Sequence, residues 1–131
     1  MKFNSQICTS REQSERLLAL GLKKETADMH WWDNEYGCCA VISRPAEKDD
    51  YGYGEVIPAW SLHRLIEMMP KNIAIDGDTA YPLQIQKRSD GKWCVGYQGW
   101  YDCVGDLYDS VIWIYQLLIS EDYLDEFCNK G

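Results

Sequence analysis

The fold class follows from the stretch at residues 72–98, NIAIDGDTAYPLQIQKRSDGKWCVGYQ. It contains the pairs Asp76-Gly77 and Asp90-Gly91, each set between extended, apolar segments. Asp-Gly at such a place is typical of a β-hairpin, because both central residues of a type I′ turn need positive φ. The spacing predicts an antiparallel meander of three strands, at 72–75, 80–87 and 92–98.

Side chains alternate along this meander. In the second strand, Leu83 and Ile85 alternate with Gln84 and Gln86. Because successive residues of a strand point to opposite sides of a sheet, the meander should have one packed face and one wetter face. Pro82 has no backbone N–H to donate, so its strand should lie at an edge or begin after the proline.

A first helix is predicted to begin near residue 10. Thr9 with Glu12 has the spacing of a capping box, in which each side chain bonds the other residue's backbone amide. Ser10 with Gln13 offers the same arrangement. The helix should end at Gly21, because glycine most readily adopts the left-handed conformation that closes a helix.

Two further helices are predicted, one on each side of the meander. The first spans 58–69, with Ser61 as its N-cap and Pro70 as its stop. The second spans about 105–119 and is apolar enough to lie across the sheet. The apolar stripes are Leu62, Leu65, Ile66 and Met69 in the first, and Leu107, Val111, Ile114 and Leu118 in the second.

The remaining segments predict a strand, a loop and short helical turns. A strand is placed at about 37–43, because the aromatic and apolar residues around it lack helical spacing. Residues 44–55 are polar and glycine-rich, which predicts an exposed loop. A short helical turn is expected within 23–29, and the acidic tail at 121–131 either folds back as a short helix or frays.

Together these elements predict an α+β fold. About four mostly antiparallel strands, one early strand plus the three-stranded meander, should pack against two or three helices. A chain of 131 residues has the size of one ordinary domain, and no linker or internal repeat divides it. We therefore expect a single domain over 1–131.

Charge and hydropathy weigh against several classes of function. The net charge of −8 repels phosphates, which makes direct binding of nucleic acid unfavourable. No run of about 18 apolar residues occurs, which argues against a membrane span. The N-terminal residues lack the apolar segment of a signal peptide, so we expect a cytoplasmic protein.

Six cysteines and two histidines are enough in number for a zinc site, but no Cys-x-x-Cys or His-x₃-His pair occurs. Without an export signal, we expect reduced thiols, most of them buried. Nothing in the flanking residues favours a cysteine nucleophile beside His30 or His63. We predict no catalytic, cofactor-binding or metal-binding residue. The cysteines are Cys8, Cys38, Cys39, Cys94, Cys103 and Cys128.

The unusual feature is the aromatic content, with six tryptophans and nine tyrosines. Trp and Tyr are enriched at protein interfaces, because they bury a large area at low entropic cost while keeping a polar group. Small sheets also cover their ends with the same residues, so both interpretations stay open. The candidate protein-binding residues are Trp31, Trp32, Tyr51, Tyr53, Trp60 and Trp100.

Two segments carry a resemblance to known sequences. Residues 18–29, LALGLKKETADM, and residues 57–66, IPAWSLHRLI, resemble a family of small proteins encoded by prophages and mobile elements of gut bacteria. The likeness extends more loosely to the final helix and excludes the loop at 44–55. It implies an accessory protein of a mobile element that works inside the bacterial cell, and it assigns no role to any residue.

Three hypotheses for function follow. The first is a non-enzymatic protein that binds another protein through an acidic, aromatic surface, for example as an inhibitor of a host nucleic-acid-binding protein. The second is a small enzyme or metal-dependent hydrolase; convergence of His30 or His63 with Cys or Asp side chains in a concave site would favour it. The third is a homodimer whose aromatic patch buries itself.

Overall fold

A computed structural model gives the fold as two compact units, Met1–Glu67 and Met68–Gly131. Each unit contains its own antiparallel strands, and the single domain over 1–131 stays a prediction. The structure describes residues 6–33, 39–48, 55–74 and 79–129.

The first unit is built on a small antiparallel sheet. Its elements are α1 (Arg11–Ala19), a 3₁₀ turn (Lys24–Thr26), β1 (Met29–Asp33), β2 (Cys39–Ile42), β3 (Glu55–Ala59) and α2 (Leu62–Met68). The strand order is β2-β1-β3, so β1 is central and Trp31 lies between Val41 and Ile57. The helix α1 packs against β3.

Both ends of α1 are closed by the signals predicted from the sequence. Ser10 Oγ accepts a hydrogen bond from the Gln13 amide at 3.1 Å, and Gln13 Oε1 accepts one from the Ser10 amide at 3.0 Å. At the other end, Gly21 has a φ of +105° and donates its N–H to the Leu18 carbonyl. The capping box and the glycine stop are confirmed.

The segment predicted as one helix over 58–69 begins as a strand, and this part of the prediction is wrong. Ile57 and Ala59 are buried in β3, and Pro58 lies between them. Proline is tolerated there because β3 is at the edge of its sheet. Burial against the sheet therefore outweighs the helical spacing at the start of this segment.

The helix α2 is shorter than predicted but is capped as expected. Ser61 Oγ accepts a hydrogen bond from the Arg64 amide at 3.1 Å, the contact of an N-cap. The helix ends at Met68, ahead of Pro70. Leu65 of its apolar stripe is fully buried.

The early strand and the short turn are found close to their predicted positions. The strand predicted at 37–43 is β2, and the turn predicted within 23–29 is the 3₁₀ turn. The strand β1, which pairs with β2, was not predicted as a separate strand. Residues 44, 45, 47 and 48 of the predicted loop are exposed.

The second unit contains five short strands and one long helix within its described residues. They are β4 (Asn72–Ile73), β5 (Tyr81–Pro82), β6 (Gln84–Lys87), β7 (Trp93–Tyr97), β8 (Trp100–Gly105) and α3 (Leu107–Ser120), followed by a 3₁₀ turn (Asp125–Phe127). A two-stranded sheet pairs β4 with β5, and a three-stranded sheet has the order β6-β7-β8. Pro82 therefore lies in an edge strand, as predicted.

The second predicted Asp-Gly hairpin is present between β6 and β7. Arg88 N–H donates to the Lys92 carbonyl at 2.7 Å, and Gly91 N–H donates to the Arg88 carbonyl at 3.0 Å. Gly91 has a φ of +88° whereas Asp90 keeps a negative φ, so this is a three-residue loop rather than a type I′ turn. The Asp76-Gly77 turn lies outside the described residues.

The strand β8 was not predicted. A two-residue connection after β7 ends in Gly99, whose φ of +90° lets the chain reverse and pair Trp100 with Tyr97. β7 is thereby central, and residues 94–97 are buried on both of its faces. The expected alternation between a packed and a wetter face holds for β6 but not for β7.

The last helix lies across the sheet, as predicted. Asp106 caps α3 by accepting a hydrogen bond from the Tyr108 amide at 2.8 Å. α3 packs on β7 and β8, and Val111, Ile114 and Leu118 of the predicted stripe are fully buried. The acidic tail folds back as the short 3₁₀ turn, with Leu124 buried.

The α+β prediction is confirmed, with small antiparallel sheets and three α-helices in the described residues. The strands are shorter and more numerous than expected, because β1, β3 and β8 were not foreseen and the strand predicted at 80–87 is divided into β5 and β6. β5 pairs with β4 and β6 pairs with β7 in a different sheet, so the three segments predicted as one meander do not form a single sheet. No helix in the described part of the chain is both long and apolar enough to cross a bilayer.

Candidate functional site

Trp60 is the most deeply buried of the four candidate binding residues that the structure describes. Its side chain is fully buried, and its indole N–H donates to Thr26 Oγ1 at 2.9 Å. Its backbone N–H donates to Thr9 Oγ1 at 3.1 Å, and its carbonyl accepts from the Thr9 amide at 2.9 Å. The assignment of Trp60 to a binding surface is therefore wrong, because its side chain fills the interior of the first unit.

The neighbouring Ser61 extends this buried polar network. Asp28 accepts hydrogen bonds from the Ser61 amide at 2.8 Å and from the Ser61 hydroxyl. Arg64 donates its Nε–H to the Thr26 carbonyl at 2.8 Å. The segments 18–29 and 57–66, which carry the resemblance, thus bond to one another and have a structural role in this chain.

Trp31 and Trp32 are half-buried and do not form one patch. They are consecutive residues of the central strand β1, so their side chains point to opposite faces of the sheet. Trp31 donates its indole N–H to the Thr9 carbonyl at 2.9 Å, which ties it to the segment before α1. Trp32 lies on the other face, between Ala40 and Val56.

Trp100 belongs to the second unit, where it contacts an aromatic residue that was not among the predicted candidates. Its ring meets that of Tyr123 edge to face, with centroids 6.0 Å apart and an interplanar angle of 81°. Tyr123 remains 37% exposed. Tyr51 and Tyr53 lie outside the described residues.

Trp113 was also absent from the predicted candidates. It lies on α3 between buried residues, yet its own side chain is 37% exposed. The sequence could have indicated this exposure. Trp113 is off the buried stripe of Val111, Ile114 and Leu118, so its side chain must point away from the sheet. Because tryptophan is enriched at protein interfaces, this outward-facing Trp113 is a candidate contact residue.

Negative charge is concentrated in the same part of the chain. Residues 100–131 contain seven carboxylate side chains and one lysine, a net charge of −6 out of the total of −8. Asp109 is one helical turn from Trp113, and Asp122 adjoins Tyr123. We group the following residues of the second unit by their chemistry, Trp100 and Tyr123 being in contact, and call them the acidic aromatic surface: Trp100, Trp113, Tyr123, Asp109, Glu121, Asp122, Asp125 and Glu126.

The two histidines occupy different environments. His30 is buried in the first unit, with Nδ1 2.8 Å from the Arg44 carbonyl oxygen. The His63 side chain is 89% exposed and lies 3.5 Å from a Glu67 carboxylate oxygen on the same helix. Among residues 6–33, 39–48, 55–74 and 79–129, no group of three or more His, Cys, Asp or Glu side chains is placed to hold a metal ion.

Cys8 is a free, buried thiol in the first unit, as predicted for most of the cysteines. Burial, reinforced by the nearby Asp28 carboxylate, raises the pKa of Cys8 from 9.0 to about 11. The thiolate is the nucleophilic form, so at neutral pH this side chain is an inert thiol. Cys128 is likewise buried and is not part of the disulfide.

The raised pKa of Cys8 predicts a loss of stability in alkaline solution. Between pH 9 and pH 11 the unfolded chain releases this proton while the folded chain keeps it, so the unfolded state gains stability as pH rises. The free energy of unfolding should fall in that window with a slope of up to about 1.4 kcal/mol per pH unit from this group. Urea denaturation of wild type and Cys8→Ala across the window tests this; equal pH dependence in both proteins would contradict it.

Cys94 and Cys103 form a disulfide in the second unit, so the expectation of reduced thiols is wrong for this pair. Their Cα atoms are 4.2 Å apart on the neighbouring strands β7 and β8. The pairing was missed because β8, the strand that places the two cysteines side by side, was not predicted.

The first unit also contains a cavity of about 300 Å³. Its wall is mostly apolar, with one basic residue, Lys24, and one acidic residue, Glu25. None of the candidate binding residues lines it. The lining residues are Lys24, Glu25, Ala27, Met29, Pro45, Ala46 and Pro58.

Comparison of the chain with protein-family models, curated proteins and solved structures found no match.

Proposed function

We propose that the protein is a non-enzymatic binding protein whose acidic aromatic surface engages a basic surface on another protein. The observation that carries the proposal is the pair of exposed aromatic side chains, Trp113 and Tyr123, among the carboxylates of the second unit. Trp60 takes no part in this surface.

Aromatic and acidic residues contribute differently to such binding. Exposed tryptophan and tyrosine side chains bury a large area when a partner covers them, and they dominate measured interface energies. Carboxylates steer an oppositely charged partner and raise its association rate, an effect that salt screens. The combination supports a partner with positive charge around an apolar recess.

The proposed setting is the bacterial cytoplasm. The resemblance of residues 18–29 and 57–66 to small proteins of prophages and mobile elements supports an accessory role inside the cell. A host protein that binds nucleic acid is one partner of suitable charge, because it presents lysine and arginine where phosphates dock.

The proposal is tested by affinity capture from bacterial lysate, followed by measurement of the captured protein's affinity. Trp113→Ala should weaken binding by about tenfold or more, because central tryptophans are typical interface hot spots. Gln116→Ala is the matched control, an exposed position one turn further along the same helix, and should bind like wild type. Both variants should keep wild-type stability within about 0.5 kcal/mol.

Two outcomes would overturn the proposal. Undiminished binding by Trp113→Ala and by Tyr123→Ala would show that the partner docks elsewhere. A stable dimer in light scattering that dissociates in Trp113→Ala would favour the homodimer hypothesis, because the surface would then be covered by a second copy of the chain.

A further inference from the structure

The disulfide Cys94–Cys103 crosses an interruption in the β7–β8 ladder. Trp93 pairs with Gly105 and Val95 pairs with Asp102, so Cys94 faces two residues of β8, at 103 and 104. Such a bulge disrupts backbone pairing at that point. The disulfide therefore joins the two strands where their hydrogen bonding is weakest.

The strand β8 depends on β7 for its sheet pairing. It is an edge strand in the order β6-β7-β8, so it has a hydrogen-bonded neighbour on one side. Its first residue is Trp100, whose ring contacts Tyr123 in the acidic aromatic surface. The disulfide at Cys103 thus lies three residues from an aromatic contact of the proposed binding surface.

The two cysteines of the disulfide differ in solvent exposure. Cys103 is half-buried, whereas Cys94 is 7% exposed. Cys8 and Cys128, which are outside the disulfide, are 2% and 8% exposed. Thiol–disulfide exchange requires a thiolate to reach a disulfide sulfur, and Cys103 is the most exposed residue of this set.

We propose that Cys94–Cys103 is a reversible redox lock that holds Trp100 in the acidic aromatic surface. Two equivalents of a low-molecular-weight thiol such as glutathione break the S–S bond in two exchange steps. The products are two cysteine thiols, which take up the two thiol protons, and one equivalent of the oxidised disulfide of the reagent. Reoxidation by that disulfide reverses both steps.

The lock gives the proposed surface two states. In the oxidised state, β8 is held beside β7 and Trp100 stays against Tyr123. In the reduced state, the bulge leaves the pairing of β8 weaker, and Trp100 loses its fixed position. The cytoplasm keeps most thiols reduced, so there the surface would be fully ordered only under oxidising conditions. This biological meaning rests on the proposed function, whereas the lock itself does not.

The test equilibrates the full-length protein with a series of reduced-to-oxidised glutathione ratios, without any binding partner. Alkylation and mass spectrometry should show Cys94 and Cys103 becoming thiols together within the series. Hydrogen exchange of the amides at 100–105 should then accelerate by about tenfold or more, because local opening of β8 becomes easier. The variant Cys94→Ser/Cys103→Ser should exchange rapidly at every ratio, and Cys128→Ser should respond like wild type.

Two results would overturn the lock. A pair that stays oxidised at every glutathione ratio would be a permanent cross-link and not a reversible one. Exchange at 100–105 that is equal in the oxidised and reduced proteins would show that the disulfide does not hold β8. Neither result depends on a partner, so loss of the lock and loss of the proposed function are distinguished.

Discussion

Trp60→Ala is expected to lower the free energy of unfolding by about 3–5 kcal/mol, well above the loss that a typical single substitution causes. The side chain is fully buried, so its removal leaves a large cavity. It also removes the donor to Thr26 Oγ1 and leaves that buried hydroxyl without its indole partner. Small domains are stable by about 5–15 kcal/mol, so much of the total would be lost.

The measurement is urea denaturation followed by far-ultraviolet circular dichroism, which does not depend on tryptophan fluorescence. Trp60→Phe is the matched control, because it keeps an aromatic ring but not the indole N–H. Its free energy of unfolding should fall distinctly less than that of Trp60→Ala. An effect of Trp60→Ala below about 1 kcal/mol would contradict the buried position, since surface substitutions cost about that or less.

Asp28→Ala is expected to lower the free energy of unfolding by about 2–3 kcal/mol. Asp28 accepts two hydrogen bonds from Ser61, and bonds to a charged group each contribute about 1.5–3 kcal/mol. Without the carboxylate, the amide and the hydroxyl before α2 lose their partner. The change should therefore weaken the connection between the segments 18–29 and 57–66.

A double-mutant cycle isolates this interaction. Asp28→Asn keeps one acceptor oxygen, so it should lower the free energy of unfolding by less than Asp28→Ala does. Ser61→Ala combined with Asp28→Ala should cost less than the sum of the two single changes, by about 0.5–3 kcal/mol, because the residues share one interaction. Strict additivity in urea denaturation would contradict the direct contact.

The features predicted correctly depend on residues close together in the chain. The capping box of Ser10 and Gln13, the stop at Gly21 and the N-cap at Ser61 each involve neighbours within a few residues. The stripe on α3 was predicted for the same reason, because helical periodicity is a local property. The Asp90-Gly91 hairpin was predicted correctly, but its turn type was not. A type I′ turn needs positive φ at both residues, and Asp90 keeps a negative φ.

The features that were missed depend on distant partners. Residues 58–69 were predicted as one helix from the spacing of their apolar side chains. Pro58 instead belongs to β3, because β3 pairs with the distant strand β1. In that pairing Pro58 lies opposite His30, which is 28 residues away in the sequence. β8 has no turn signal as strong as Asp-Gly before it. Missing β8 also concealed the proximity of Cys94 and Cys103, since a disulfide partner is fixed by the fold and not by spacing.

The candidate site stays a prediction, and the structure changes which residues are assigned to it. An acidic, aromatic surface was anticipated from composition, but exposure is a tertiary property that composition does not give. Trp60 proved to be interior and Trp113 exposed, although both are tryptophans next to apolar residues. Helical periodicity marks Trp113 as an outward residue, whereas the burial of Trp60 depends on Thr9 and Thr26 far along the chain.

The central claim, that the acidic aromatic surface binds a protein, is tested most directly by the indole N–H signals of the six tryptophans in a ¹⁵N-correlation NMR spectrum. On addition of the captured partner, the signals of Trp113 and Trp100 should shift or broaden, while that of the buried Trp60 stays in place. Shifts at Trp31 or Trp32, with Trp113 and Trp100 unchanged, would contradict the claim and place the binding surface in the first unit.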